Sequence, residues 1–399
     1  MHQGNITYDY LILTCGLQYQ RPQFQDELEE QRRGEFLEHE TPWNCLAIND
    51  DAEAAVCLEK INKLTDNLKL EKRIIIYGHN IDCYCALQGL LEFGIKGSWI
   101  TLIQPPLQEC ETHHSAFFNN CEITKPQKFQ IKVSRISKSA ISGSSLILYS
   151  EPKDSLKSAQ TLIDAFKVYA EVMKSISRSN IKMLVGWELT DWNLKESLDG
   201  RIIETIVIRL KGKLKTLECD ALINFREKTI NMTIFLAICK SGLMFDGQLI
   251  IDTELRTNDP SIFAAGTITK YCRRFYSEIW QHVHFNSIEI GEKLARILQS
   301  IIENEHRRVE TPEEASERKK NLTIPVFRTP KVVACTLPGG YRYLYIFKPG
   351  KHMMRRLAIH YNIYGQVLVT GSCTSDIGYF RIRLNRFDVI ETMTCFTKQ

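Results

Sequence analysis

The chain has 399 residues, room for two or three compact units, and its 44% hydrophobic and 25% charged residues are ordinary for a globular protein. No stretch nears the ~18 uninterrupted apolar residues of a membrane span, and Met1 to Thr7 lack the basic-then-apolar run of a secretory signal, so no membrane role is expected. The net charge of +4 is uneven: residues 331–399 hold ten Lys/Arg against three Asp/Glu, a balance that can suggest nucleic acid or an acidic partner but reads by default as the solvated face of a small β domain.

In chain order, Tyr8 to Thr14 reads as a short buried strand stopping at Cys15-Gly16. Residues 20–45 are polar and read as a loop or short irregular helix. Asn49-Asp50-Asp51 caps a helix running to about Leu68. Arg73 to Tyr77 is a continuous apolar strand of the parallel-sheet type, followed by Gly78, a helix from Ile81 to Phe93, Gly94 and a strand from Ser98 to Ile103. That is a βαβ unit.

Residues 106–152 read as an insertion, with strands at Phe129 to Val133 and Ser145 to Tyr149. A helix from Ser155 to Ser177 carries Leu162, Phe166, Tyr169, Met173 and Ile176 on one stripe. Lys157, Lys167, Lys174 and Arg178 oppose it, as in a calmodulin target, but the default is a crossover helix on the sheet. Strands follow at Lys182 to Val185, Ile202 to Ile208 and Cys219 to Phe225. Leu249 to Thr267 reads as strand, turn, strand and a glycine at a helix mouth, and a long helix runs from Ser277 to Glu303. The charged stretch 304–320 has little apolar surface and falls in a linker, and 331–399 alternates β-type segments with Gly and Pro turns, as in a small antiparallel sheet.

A dinucleotide fingerprint needs glycines at positions one, three and six, for the tight turn, the backbone's approach to the pyrophosphate, and helix–strand contact. Here the positions read Gly78-His-Asn-Ile-Asp-Cys83. Asn80 puts a side chain where phosphate would approach, Cys83 thickens the helix–strand contact, and Asp82 adds negative charge. The second strand ends at Gln104, an amide in place of the carboxylate that would bond a ribose. The 13 cysteines contain no Cys-x-x-Cys pair and read as reduced intracellular thiols. Cys83 and Cys85 fall roughly 200° apart around a helix and read as small apolar residues. His113-His114 and His282-x-His284 lack further partners at metal-site spacing, so no metal is expected. Neither a Ser/His/Asp arrangement nor a phosphate-cradling loop is present.

These landmarks, in this order, resemble the pyridine-nucleotide–disulphide oxidoreductase family. Tyr8 to Gly16 resembles its strand ending in Ala-Thr-Gly, the 73–104 unit its NAD(P) domain, and 181–225 the strands closing that domain. Gly247 to Asp252, Leu255 to Thr257 and Ile262 to Gly266 resemble its second flavin motif. The resemblance implies an α/β fold of Rossmann-like parallel sheets with helices on both faces, plus a small α+β or mostly β C-terminal domain. It divides the chain into a partial flavin-domain-like segment (1–72), an NAD(P)-domain-like unit (73–225, insertion 106–152), a flavin-domain-like return (226–305), a linker (306–330) and a dimerisation-like β domain (331–399).

The departures shape the functional expectation. The family's first flavin-binding βαβ would precede Tyr8, so the chain is expected to be a C-terminal part or short form. Thr267 replaces the aspartate that holds the flavin's ribityl chain, and the family's redox disulfide has no counterpart. Gly16, Gly78, Asn80, Cys83, Gln104, Gly266 and Thr267 then read as vestigial cofactor positions, with no cofactor and no catalytic residue. The alternative is an FAD- or NAD(P)-dependent oxidoreductase, and a weaker third reading is a redox sensor built on the many thiols. The chain also resembles a family of cilia- and flagella-associated proteins whose C-terminal half is a degenerate oxidoreductase-like fold. That resemblance implies a place in the axoneme of motile cilia and sperm flagella, among partners at the radial spoke base in the calmodulin- and spoke-associated complex. It further implies self-association through 331–399, with neither nucleic acid nor membrane as partner.

Overall fold

Three consecutive isoleucines, Ile74, Ile75 and Ile76, are each buried to 1% exposure or less, which only a sheet covered on both faces allows. The computed structural model describes residues 6–24, 40–106, 168–197, 200–275, 280–306, 324–350, 364–374 and 377–398. Its elements begin with β1 (Leu11–Leu13), β2 (Gln18–Tyr19), β3 (Cys45–Leu46), α1 (Asp51–Leu64), β4 (Ile74–Gly78), α2 (Ile81–Phe93) and β5 (Ile100–Gln104). A helix over 168–178, α3, leads to β6 (Lys182–Val185), β7 (Glu188–Ser197), β8 (Gly200–Leu210), β9 (Lys213–Glu218), β10 (Ala221–Phe225) and β11 (Lys228–Thr229). Then come α4 (Met232–Lys240), β12 (Leu249–Ile251), β13 (Ile262–Ala264), β14 (Thr269–Tyr271) and α5 (Ser287–His306). The chain closes with β15 (Lys331–Leu337), β16 (Tyr341–Phe347), β17 (Tyr364–Gly371), β18 (Tyr379–Asn385) and β19 (Ile390–Thr397).

A five-stranded parallel sheet in the order β3-β10-β4-β5-β6 forms the centre. Each fully buried isoleucine there contributes about 1.5–3 kcal/mol of apolar burial. Helix ends are fixed by their own sequence. Asp50 accepts from the Glu53 amide at 2.8 Å and Glu53 reaches back to the Asn49 amide at 2.7 Å, while Gly94 closes α2 at φ +106°. Beside this sheet lie the parallel pairs β1–β13 and β12–β14, with α5 against them through Ile290 and Leu294. The C-terminal sheet, β15-β16-β19-β18-β17, is antiparallel throughout, and its aromatic inner face joins the core of the central sheet with α2 between them.

Several expectations are corrected. The long helix begins at Ser287, ten residues after the expected Ser277, because His282–His284 form a short 3-10 turn held by buried contacts of His282. Between Lys182 and Phe225 only β6 and β10, among the described strands, join the parallel sheet; β7, β8 and β9 form a separate antiparallel meander. The polar segment 20–45 ends in β3, paired parallel with β10. Leu68 lies beyond α1, in a left-handed run with Asp66 and Asn67, and α4 was not anticipated. The strands expected within 106–152, the start of the Ser155–Ser177 helix, His113-His114 and most of the 306–330 linker lie outside the described residues. No helix among the described residues is long and apolar enough to cross a membrane.

Candidate functional site

The turn between β4 and α2 is where a Rossmann-like sheet would receive a pyrophosphate, at a helix N-terminus. Gly78, the surviving first glycine, pairs with Phe225 in register, and a Cβ there would sit 2.8 Å from the Phe225 Cβ. The sheet itself therefore requires this glycine. Asn80 caps α2: its Oδ1 accepts from the Cys83 amide at 3.0 Å, and its Nδ2 donates to Tyr19 Oη and to the Phe225 carbonyl, both at 2.7 Å.

Tyr19 fills the remaining space. It is 4% exposed, meets the Phe225 ring edge-on at 5.2 Å and donates its hydroxyl to Asp82 at 2.7 Å. Lys228 pairs with the same carboxylate at 3.2 Å and lies 4.6 Å over the Tyr19 ring. Burial and then the Asp82 charge push the Tyr19 phenol far above its ordinary range, keeping it a donor. Asn49 clamps the Tyr19 backbone from both sides, accepting from its amide at 2.6 Å and donating to its carbonyl at 2.9 Å. Gln20 continues the strap, donating to Thr229 Oγ1 at 2.8 Å and to the Ile230 carbonyl at 2.7 Å. The groups that would face a phosphate are bonded to one another, and Lys228 is paired with Asp82.

The other expected positions follow the same pattern. Cys83 is fully buried under α2, and burial pushes its thiol far up, out of the nucleophilic range. Gln104 donates to Tyr84 Oη at 2.7 Å inside the core, turned away from any ribose. Gly16, Gly266 and Thr267 come together beyond the carboxyl ends of β1 and β13. There Thr267 Oγ1 accepts from the Leu17 amide at 2.9 Å and holds the two turns to each other. The Gly266 amide donates to His282 Nδ1 at 3.1 Å, Thr269 Oγ1 lies 3.0 Å from the same nitrogen, and Tyr271 Oη lies 3.0 Å from Nε2. Burial lowers the His282 pKa to about 4. Both ring nitrogens are thus spent within the fold, and no metal-ligating cluster occurs among the described residues.

A cleft of about 760 Å³ lies beside the strap, lined by Tyr19, Gln20, Tyr77, Glu188, Asn224 and Arg226 among others. Two of its arginines are engaged: Arg226 donates to Tyr77 Oη at 2.7 Å and pairs with Glu188 at 3.6 Å, and Arg209 pairs with Glu188 at 3.1 Å. Sequence reasoning found the weakened fingerprint and missed the strap. Tyr19 and Lys228 reach the turn from 63 and 146 positions away in the chain, and no local pattern marks them.

The fold is a Rossmann-like parallel-sheet core, of the kind found in FAD/NAD(P)-binding reductases, followed by an antiparallel C-terminal sheet. The chain is similar in structure to an NAD-dependent persulfide reductase from A. fulgidus (TM-score 0.51, 11% identity, 98% of this chain and 54% of that one). It is also similar to the ferredoxin reductase of the CYP199A2 system from Rhodopseudomonas palustris (TM-score 0.50, 11% identity, 98% of this chain and 67% of that one). Against putidaredoxin reductase in its covalent complex with putidaredoxin it covers 66% of that chain at 14% identity and TM-score 0.49, so it spans about half to two thirds of these reductases. More particularly, residues 325–399, which contain the C-terminal sheet, match the family model of the CFAP61 dimerisation domain, a domain of the cilia- and flagella-associated proteins.

Proposed function

We propose that this chain is a non-catalytic structural component of the motile cilium or flagellum axoneme, a pseudo-oxidoreductase that works as a scaffold. It docks protein partners of the calmodulin- and spoke-associated complex at the radial spoke base, supporting spoke assembly and ciliary or sperm motility, and it self-associates through 331–399. The observation that carries the reading is the strap: Tyr19, Asn80, Asp82 and Lys228 satisfy one another where a dinucleotide would be held. The flavin turn likewise has Thr267 bonded to Leu17 in place of a carboxylate. The match of 325–399 to the CFAP61 dimerisation domain supports the ciliary setting and self-association. A rigid parallel sheet keeps its shape from apolar burial without a ligand, which leaves surfaces to carry function. The test is an absorption spectrum of the purified full-length protein and titration with NADH and NADPH. We expect no flavin band and no saturable nucleotide binding; a yellow protein with near-stoichiometric flavin favours the oxidoreductase alternative.

A further inference from the structure

The two faces of the C-terminal sheet differ in what covers them. On the inner face Cys335, Tyr343, Phe396 and Tyr379 stand side by side across four strands, and the last three are 5% exposed or less against the core. The outer face carries an apolar band, bounded on one side by the row of Thr336, Arg342 and Thr397. The register sets Val332, Ile346, Met393, Ile382 and Leu368 in one row across all five strands. The next row is Ala334, Leu344, Cys395, Phe380 and Thr370. Neither row holds a charge. Val332 and Leu368 at the row's ends are 52% and 50% exposed, and Ile390, beside Leu384 at the sheet's end, is 47% exposed. An antiparallel sheet with one solvated face ordinarily alternates apolar and polar residues, and a band of this kind marks an interface.

We propose that this outer face is the surface on which two copies of the chain pair, sheet against sheet about a twofold axis. The assignment rests on the self-association reading above and names its contact surface. The occupant is a second copy because 325–399 matches a dimerisation domain and this apolar face has exposed ends among the described residues. Five strands at ~4.8 Å spacing make the band on the order of 20 Å wide. A standard interface takes about 800 Å² from each partner. The contact therefore extends onto the exposed Phe387 and Val389 of the β18–β19 turn and onto Ile390 at the start of β19. Such a pairing is isologous, so each copy presents the same rows.

Cys395 is a native reporter at the middle of this face, and Cys239, exposed on α4, is a reference outside it. The experiment measures the mass of the full chain by light scattering over a concentration series, with maleimide labelling of both cysteines in the same samples. We expect a dimer, with Cys395 labelling slowed at least fivefold as it forms and Cys239 unchanged. Ile382→Glu should weaken the dimer at least tenfold; if that variant does not fold, Cys395 protection in the unaltered chain decides alone. A dimer whose Cys395 labels at a concentration-independent rate overturns this face and leaves self-association standing. A monomer at every concentration overturns the self-association reading itself.

Discussion

The Asn80 side chain donates to the Phe225 carbonyl at 2.7 Å while it caps α2, so one amide both closes the helix and ties it to the end of β10. Asn80→Ala removes the cap and two further bonds, and should lower stability by about 2 kcal/mol. Asn80→Gly restores the fingerprint's second glycine but leaves Tyr19 in place. No NADH binding should appear by calorimetry; saturable binding by this single variant would show that the strap is not what closes the turn.

Gly78 and Gly89 sit eleven positions apart and should respond oppositely to alanine. At Gly78 the new Cβ meets the Phe225 Cβ at 2.8 Å and its carbonyl oxygen at 2.9 Å, so Gly78→Ala should cost about 1–3 kcal/mol. Gly89 is inside α2 with nothing within 4 Å of its Cβ position, so Gly89→Ala should gain about 0.5–1 kcal/mol. Urea midpoints of the two variants check this, and equal shifts would contradict it.

His282 gives stability a pH dependence. Its folded-state pKa is lowered from 6.5 to about 4, so between those values the unfolded chain binds the extra proton. The stability it contributes is present above pH 6.5 and is lost as pH falls through about 4, up to ~3 kcal/mol in all. His282→Asn keeps an acceptor for the Gly266 amide but does not titrate. Its stability should fall less steeply than the parent's between pH 6.5 and 4; parallel slopes would mean that His282 is not buried neutral.

How much of this was readable depended on how local the determinants were. The β4–α2–β5 unit could be read because Ile74 to Gly78, Asn80 and Gly94 are contiguous and each speaks for its own position. The antiparallel C-terminal sheet was legible from its Gly and Pro turns for the same reason. The contacts around the β4–α2 turn were not, because Tyr19, Asn49 and Lys228 become neighbours only through the tertiary fold. The start of α5 was misplaced because His282 is held in a 3-10 turn by Gly266 and Tyr271, which no helix propensity reports.

Thiol reactivity gives a last test of the packing between the C-terminal sheet and α2. Burial pushes the Cys45 and Cys57 thiols up to about 12, so neither should be a nucleophile at neutral pH. Cys335 on β15 goes the other way, held below its ordinary value by a hydrogen bond from the Cys85 thiol on α2. Brief iodoacetamide treatment followed by peptide mass analysis should therefore modify Cys335 and the exposed Cys239 well before Cys45 or Cys57. Cys85→Ala removes the donor and should slow Cys335 alkylation several-fold, while Cys85→Ser retains a donor and should slow it less. Equal Cys335 rates in the parent and both variants would mean that β15 does not hold this thiol against α2 in solution.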